Sequence, residues 1–424
     1  MISGRRFRRV LAGLITGAVV LALPATAIAA TQTIPFFPTG SMNTARYGLF
    51  AVPLADGRVL VGGGFDGVSE VKSTEIFNPA TGAFSPAADM STIRNGAAAA
   101  LLLDGRVLVV GPDASAEIYD PKTNSWSSAG PMTTPRGDAA VARLPDGRVL
   151  VAGGSGASTL ASAEIFNPDT NSFSSAGVGS MGGPRSDAAT AALGNGQVLI
   201  AGGYNGADDI KSSIVFDPAT SQFSPAGSMS LTRSLFAGAS LPDGRAVVIG
   251  GQNPSGDRKT AEIFDPATRS FSTGGLGEMS IERKFLAAAP LAGGRVLVAG
   301  GYNGGNPVKS AEILGTSDAF TTKVKGKKLI VSVSAAGSVS VAGVTGDAST
   351  STVATAKKKA KRVLKPSTAS GGPGQIRVKL KLTKPAAAKL AAKGKLKIRG
   401  AVTFSPDAGF AVTRTVKLKL KLKR

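Results

Sequence analysis

The chain has 424 residues, 42% of them hydrophobic and 5% aromatic, with 55 Gly, 24 Pro and a formal net charge of +22. That length and apolar content support more than one domain with real cores, and the abundance of turn-forming residues favours an all-β architecture. Cys and His are both absent, which excludes disulfides, thiolate nucleophiles, zinc–thiolate sites and Ser-His-Asp triads; carboxylates, hydroxyls, Lys, Arg and Tyr remain for any chemistry.

The N-terminus reads as a targeting segment. Arg5, Arg6, Arg8 and Arg9 form a basic region, Val10 to Leu23 an apolar one, and Ala27-Ile28-Ala29 a small-residue cleavage site. Residues 1–29 are therefore expected to be a signal peptide, with an uncleaved anchor as the alternative, because the apolar stretch runs on to Ala30. Paired arginines hint at twin-Arg export without deciding the route.

From residue 30 to 315 the chain repeats. DGRVLVGGG at Asp56 returns as DGRVLVVG at Asp104, DGRVLVAGG at Asp146, NGQVLIAGG at Asn195, DGRAVVIGG at Asp243 and GGRVLVAGG at Gly293. A Met four residues before an Arg also occurs six times, from Met42/Arg46 through Met90/Arg94, Met132/Arg136, Met181/Arg185 and Met229/Arg233 to Met279/Arg283. An aromatic before Asx-Pro with a second aromatic seven residues on occurs only five times: Phe77/Phe84, Tyr119/Trp126, Phe166/Phe173, Phe216/Phe223 and Phe264/Phe271. Each repeat holds four strand signals: a small-residue run (a), RVLVAGG after a PDG-type turn (b), AEIF (c) and a short strand around the second aromatic (d).

Four short strands in about 48 residues make a propeller blade. The order of markers resembles the kelch repeat, which implies a kelch-type β-propeller of the galactose-oxidase-like kind, and the six copies predict six blades. The second copy departs from the pattern, with Val110-Gly111 in place of the glycine pair. The missing sixth ending is expected at FFPTGSM (Phe36 to Met42), which would supply strand d of the last blade.

In such a meander the a-b and c-d turns share one face, and the b-c and d-a loops share the other. The first set is uniform and the second varies, so a binding site is expected on the b-c/d-a face. Near the channel mouth Tyr47, Asn95, Asp138, Asp187, Ser234 and Lys284 differ from blade to blade, and Tyr204, Gln252 and Tyr302 join them from the b-c loops. Arg46, Arg185, Arg233 and Arg283 are candidates too, since the resemblance implies that arginines near this position line the ligand pocket. The alternative is a repeated structural pair with the strand-c glutamates Glu75, Glu117, Glu164, Glu262 and Glu312; Ile214 breaks it in the fourth copy.

Charge divides the chain. Residues 315–424 hold 25 Lys and Arg against 3 Asp, whereas the first 314 hold 24 of each sign. Residues 316–424 alternate apolar and cationic positions and are expected to form a small basic β-sandwich-like domain, resembling C-terminal β-domains of exported actinobacterial proteins. Within it KKLIVSV and SVSVAGV are predicted to form a hairpin, Pro385 to Gly394 a helical connector, and Ala354 to Ser370 a Lys-rich loop inside a flexible stretch near 344–372.

These features describe an exported bacterial binding protein, secreted or held at the cell surface, whose propeller takes an extracellular glycan or protein. Its cationic domain would meet an anionic cell-envelope polymer; scarce aromatics and the leader argue against nucleic acid. No catalytic residue, metal or cofactor is assigned, a copper-radical oxidase is excluded by composition, and a monomer is expected. The competing reading is a carbohydrate-active enzyme, an epimerase or lyase, using Asp, Arg and Tyr at the channel mouth.

Overall fold

A computed structural model describes residues 33–273, 275–315, 320–325, 328–333, 337–344, 362–371, 374–393, 395–406 and 412–421. The expected leader and the stretch 345–361 of the Lys-rich segment lie outside the described residues.

Six four-stranded antiparallel sheets follow one another along the chain, each a blade. Blade 1 runs Phe50–Pro53 (a), Val59–Gly62 (b), Thr74–Asn78 (c) and Ala83–Pro86 (d). Blades 2, 3 and 5 begin at Ala98, Ala140 and Ala237. Blade 4 runs Ala189–Ala192, Val198–Ala201, Ser212–Asp217 and Gln222–Ser228. In blade 6, Ala287–Leu291, Arg295–Ala299 and Ala311–Leu314 are completed by Phe36–Pro38 from the start of the chain, with Phe36 opposite Leu314 and Pro38 opposite Glu312.

Strand b carries no polar alternation because both of its faces are covered. Val59, Leu60 and Val61 are completely buried, as are their counterparts in most other blades. Six apolar clusters fill the spaces between neighbouring blades; Phe166 and Val149 of blade 3, for instance, pack on Leu108 and Ile118 of blade 2. The two repeated aromatics lie directly opposite one another on strands c and d, with ring centroids 4.8 to 5.0 Å apart. Each such pair adds about 0.5–1.5 kcal/mol beyond the area it buries.

Among the described residues from 320 to 421, the chain forms two further antiparallel sheets and one helix. The first joins Phe320–Lys325, Lys328–Val333 and Gly374–Lys379; the second joins Lys381–Leu382, Arg362–Gly371, Gly337–Val344, Lys395–Pro406 and Val412–Lys421. The helix is Lys384–Lys393, where a connector was predicted. Two expectations are corrected. KKLIVSV and SVSVAGV do not form a hairpin: the first pairs with residues 320–325 and 374–379 and the second with 362–371 and 395–406. The end of the expected Lys-rich loop, from Arg362 to Ser370, lies in the strand Arg362–Gly371. Alternation does hold where side chains are described, for Val378 and Leu380 are buried while Arg377 and Lys379 are exposed.

Candidate functional site

Each repeat arginine reaches across its own blade. Arg46 donates from Nη1 to the carbonyls of Gly63 and Ser73 at 3.0 and 2.8 Å, and from Nη2 to Ser73 Oγ at 3.1 Å and Glu75 Oε1 at 3.2 Å. Arg94, Arg136, Arg233 and Arg283 repeat that set with Glu117, Glu164, Glu262 and Glu312. Each glutamate then accepts the backbone N–H of the residue after the repeat Met; for Glu164 the donor is Thr133, at 2.7 Å. Burial lowers the proton affinity of Arg46, Arg233 and Arg283, and the facing carboxylate opposes that effect. Arg46, Arg233 and Arg283 thus spend their charged ends inside the blades, at 1% exposure or less, and are not part of the open face.

The glycine pair after strand b fixes what stands at the channel mouth. A Cβ on Gly63 would lie 2.3 Å from the carbonyl oxygen of Arg94, and one on Gly64 would lie 2.4 Å from that of Tyr47. With no side chain in the way, the N–H of Gly64 donates to Arg94 at 2.6 Å, and Gly154, Gly203, Gly251 and Gly301 do the same to the arginine of the next blade.

Two residues beyond each arginine the backbone turns left-handed. Gly48, Gly96, Asp138, Asp187, Leu235 and Phe285 all have φ between 51 and 74°. The N–H of each donates to the carbonyl of its counterpart in the preceding blade: Gly96 to Gly48, Asp138 to Gly96, Asp187 to Asp138, Leu235 to Asp187, Phe285 to Leu235 and Gly48 to Phe285, at 2.7 to 3.1 Å. Six hydrogen bonds close a ring around the axis. The left-handed conformation costs about 1–3 kcal/mol at a bulky residue such as Leu235 or Phe285, and the collar bond is what holds it.

This collar rims a cavity of about 120 Å³. The expected residues around it separate into two layers. Asp138 and Asp187 belong to the collar itself. Tyr47, Ser234 and Lys284 stand one residue earlier and bridge to the first b-c loop residues Phe65, Gln252 and Tyr302. Ser186 likewise bridges to Tyr204, and Asn95 Nδ2 donates to Glu70 Oε1 at 3.4 Å. Reading the variable residues as one set missed this one-residue offset. It also missed Phe285 and Leu235, because Leu and Phe give no sequence signal for a left-handed position, and Phe65, the b-c loop residue that bridges to Tyr47.

The mouth has two unlike sides. Over blades 1 and 6, Tyr47 contacts Phe65, Phe285 and Tyr302 at centroid distances of 5.5, 5.4 and 5.2 Å. Lys284 Nζ sits 5.6 Å from the Tyr302 ring centre, donates to Gln252 Oε1 at 3.0 Å and pairs with Asp257 Oδ1 at 3.2 Å. Over blades 3 and 4 stand the carboxyls. Burial, and then the charge of Asp187, push Asp138 up to about 7. Burial also raises Asp187; Ser186 Oγ, which donates to it at 2.6 Å, pulls the other way, and Asp209 pushes it up. Tyr204 is exposed beside them.

Six blades, a repeat arginine–glutamate lock and a capped axial mouth define a kelch-type propeller, a class that typically mediates binding or interaction. The Kelch motif matches residues 46–91, 95–133 and 184–230, so three repeats carry it outright. No curated protein matches the chain. Among solved structures, a fungal alcohol oxidase of the AA5 family, in complex with copper, aligns with a TM-score of 0.52 at 16% identity, covering 91% of this chain and 99% of that one. That likeness is one of fold. This chain has no His or Cys, and no group of three acidic side chains that could hold a metal occurs among the described residues, so its donors do not fit copper chemistry.

Proposed function

We propose that the protein is an exported kelch-repeat binding protein that takes an extracellular glycan or peptide at the axial mouth of the b-c/d-a face. The observation that carries this reading is the two-sided mouth. Aromatic rings and Lys284 stand at the mouth over blades 1 and 6, and the buried carboxyls of Asp138 and Asp187, whose proton affinity burial raises, stand over blades 3 and 4. A sugar stacks on aromatic rings and bonds through hydroxyls to carboxyls; a peptide offers the same contacts. Arrays of glycans and peptides identify the ligand, and calorimetry with Tyr302→Ala and Asp187→Asn then measures the site. Each substitution is expected to weaken binding about tenfold, a loss of about 1.4 kcal/mol. Unchanged affinity in both would overturn the assignment.

The basic residues 316–424 support a second part of the proposal, association with an anionic polymer of the cell envelope. An enzymatic reading is favoured by one feature only, Asp138, whose carboxyl is pushed up to about 7 by burial and by the neighbouring Asp187, as an acid–base epimerase or lyase requires. NMR of the bound ligand separates the two readings, because turnover appears only under the second.

A further inference from the structure

Blade 4 lacks the carboxylate around which the other five blades are built. Ile214 stands where they have glutamate, opposite Ile200 in the strand ladder. Arg185 keeps the neutral half of the set: Nη1 donates to the carbonyls of Gly202 and Ser212, and Nη2 to Ser212 Oγ at 3.4 Å. Its Nε has no partner, as in Arg46, Arg233 and Arg283; what sets Arg185 apart is that no nitrogen of its guanidinium meets a carboxylate, whereas Arg94 and Arg136 reach Glu117 and Glu164 from Nε and Arg46, Arg233 and Arg283 reach theirs from Nη2. No acidic group among the described residues lies within ion-pairing distance of Arg185. The charge is buried without a counter-charge, which the fold avoids everywhere else it places this arginine.

The glutamate's second partner has changed in the same blade. In the others its carboxylate also accepts from the residue after the repeat Met, which is Asn43, Ser91, Thr133, Ser230 or Ser280. In blade 4 that residue is Gly182, whose N–H makes only a 3.4 Å contact with Ser180 Oγ. A Cβ on Gly182 or Gly183 would meet nothing within 4 Å, so open space adjoins the slot. Arg185 is also the most exposed of the six arginines, at 7% against 0 or 1% for the rest.

We propose that blade 4 carries an anion site in which the Arg185 guanidinium and the Gly182 N–H take a small carboxylate from solution. Five sibling blades show the chemistry that fits: a carboxylate bridging the guanidinium and this N–H. Here the carboxylate arrives unattached to the chain, through the space beside Gly182 and Gly183. Guanidinium and carboxylate match in planarity and charge, and the partly dry slot strengthens the pair. The site is separate from the axial mouth and does not depend on what that mouth binds.

Acetate is the probe. The full chain, labelled with ¹⁵N-arginine, is titrated at constant ionic strength made up with a bulky sulfonate. The Nε–H resonance identified as Arg185 by its loss in Arg185→Lys is expected to shift and saturate. Ile214→Glu, which builds the carboxylate back in, should abolish that shift and remove the acetate dependence of the thermal midpoint, which in the natural chain rises with acetate as binding to the folded state requires. A natural chain whose Arg185 resonance does not move saturably overturns the proposal, and that result needs no variant to fold beyond the one used for assignment. An equal shift in Ile214→Glu overturns it as well.

Discussion

Glu164 and Arg136 form the most enclosed of the ion pairs, with side chains 0 and 1% exposed and 3.0 Å between Oε1 and Nε. Removing one partner of such a pair leaves the other buried and uncompensated, so Glu164→Ala is expected to cost about 3–5 kcal/mol in denaturant unfolding. The carboxyls also set the pH response. Burial alone would raise Glu117, but the Ser91 N–H and hydroxyl and the Arg94 guanidinium outweigh it and hold Glu117 below its usual range. The unfolded chain then binds the extra proton, so this stability is present above about pH 4.5 and is lost as pH falls below it. Asp138 has the opposite sign. Its folded form holds a proton up to about 7, so its contribution is full below about pH 4 and is lost as pH rises towards 7. Thermal midpoints measured from pH 5 to 8 should therefore fall in the natural chain and fall less in Asp138→Asn. At this scale the arginines were legible as a repeated set with two possible roles, and geometry pairs five of them with the strand-c glutamates and leaves Arg185 without one. The carboxyl pair was legible only as two names on a variable face, because nothing local says that positions 138 and 187 meet across a blade boundary.

Among the elements, Phe36–Pro38 has the largest consequence for its size. Three residues complete blade 6, and without them Ala311–Leu314 becomes an open edge and the ring loses its closure between first and last blade. Deletion of residues 33–38 is expected to lower the thermal midpoint by more than any single side-chain truncation, as read by scanning calorimetry. For comparison, Phe166→Ala should cost about 3–5 kcal/mol, since Phe166 is wholly buried between blades 2 and 3. Strands b and c were legible from RVLVAGG and AEIF because each run is apolar, short and bounded by turn residues. The hairpin predicted for 327–344 failed for a physical reason. Period-two alternation identifies strands but not their partners, and each of these two strands finds longer ladders elsewhere, Lys328–Val333 with Gly374–Lys379 and Gly337–Val344 with Lys395–Pro406.

Over the whole molecule, the net charge of +22 belongs to the segment after residue 314, while the blades, once the four arginines of the expected leader are set aside, hold 20 basic against 24 acidic residues. If the cationic segment meets an envelope polymer, retention of the protein on isolated cell walls should decline steeply with salt and vanish when residues 316–424 are deleted; salt-independent retention would contradict this. The sequence by itself determined the six-fold repeat, the four strands per blade, the absence of imidazole and thiol chemistry, and the partition of charge, because each depends on residue type and spacing along the chain. Only the tertiary structure decided that the repeat arginines turn inward, that six left-handed residues close a hydrogen-bonded collar, that aromatic and acidic sides face one another across its mouth, and that Arg185 stands without its carboxylate. Those facts depend on which residues of different blades come within a few ångströms, and a ring closed by its own first strand brings together positions that no local pattern connects.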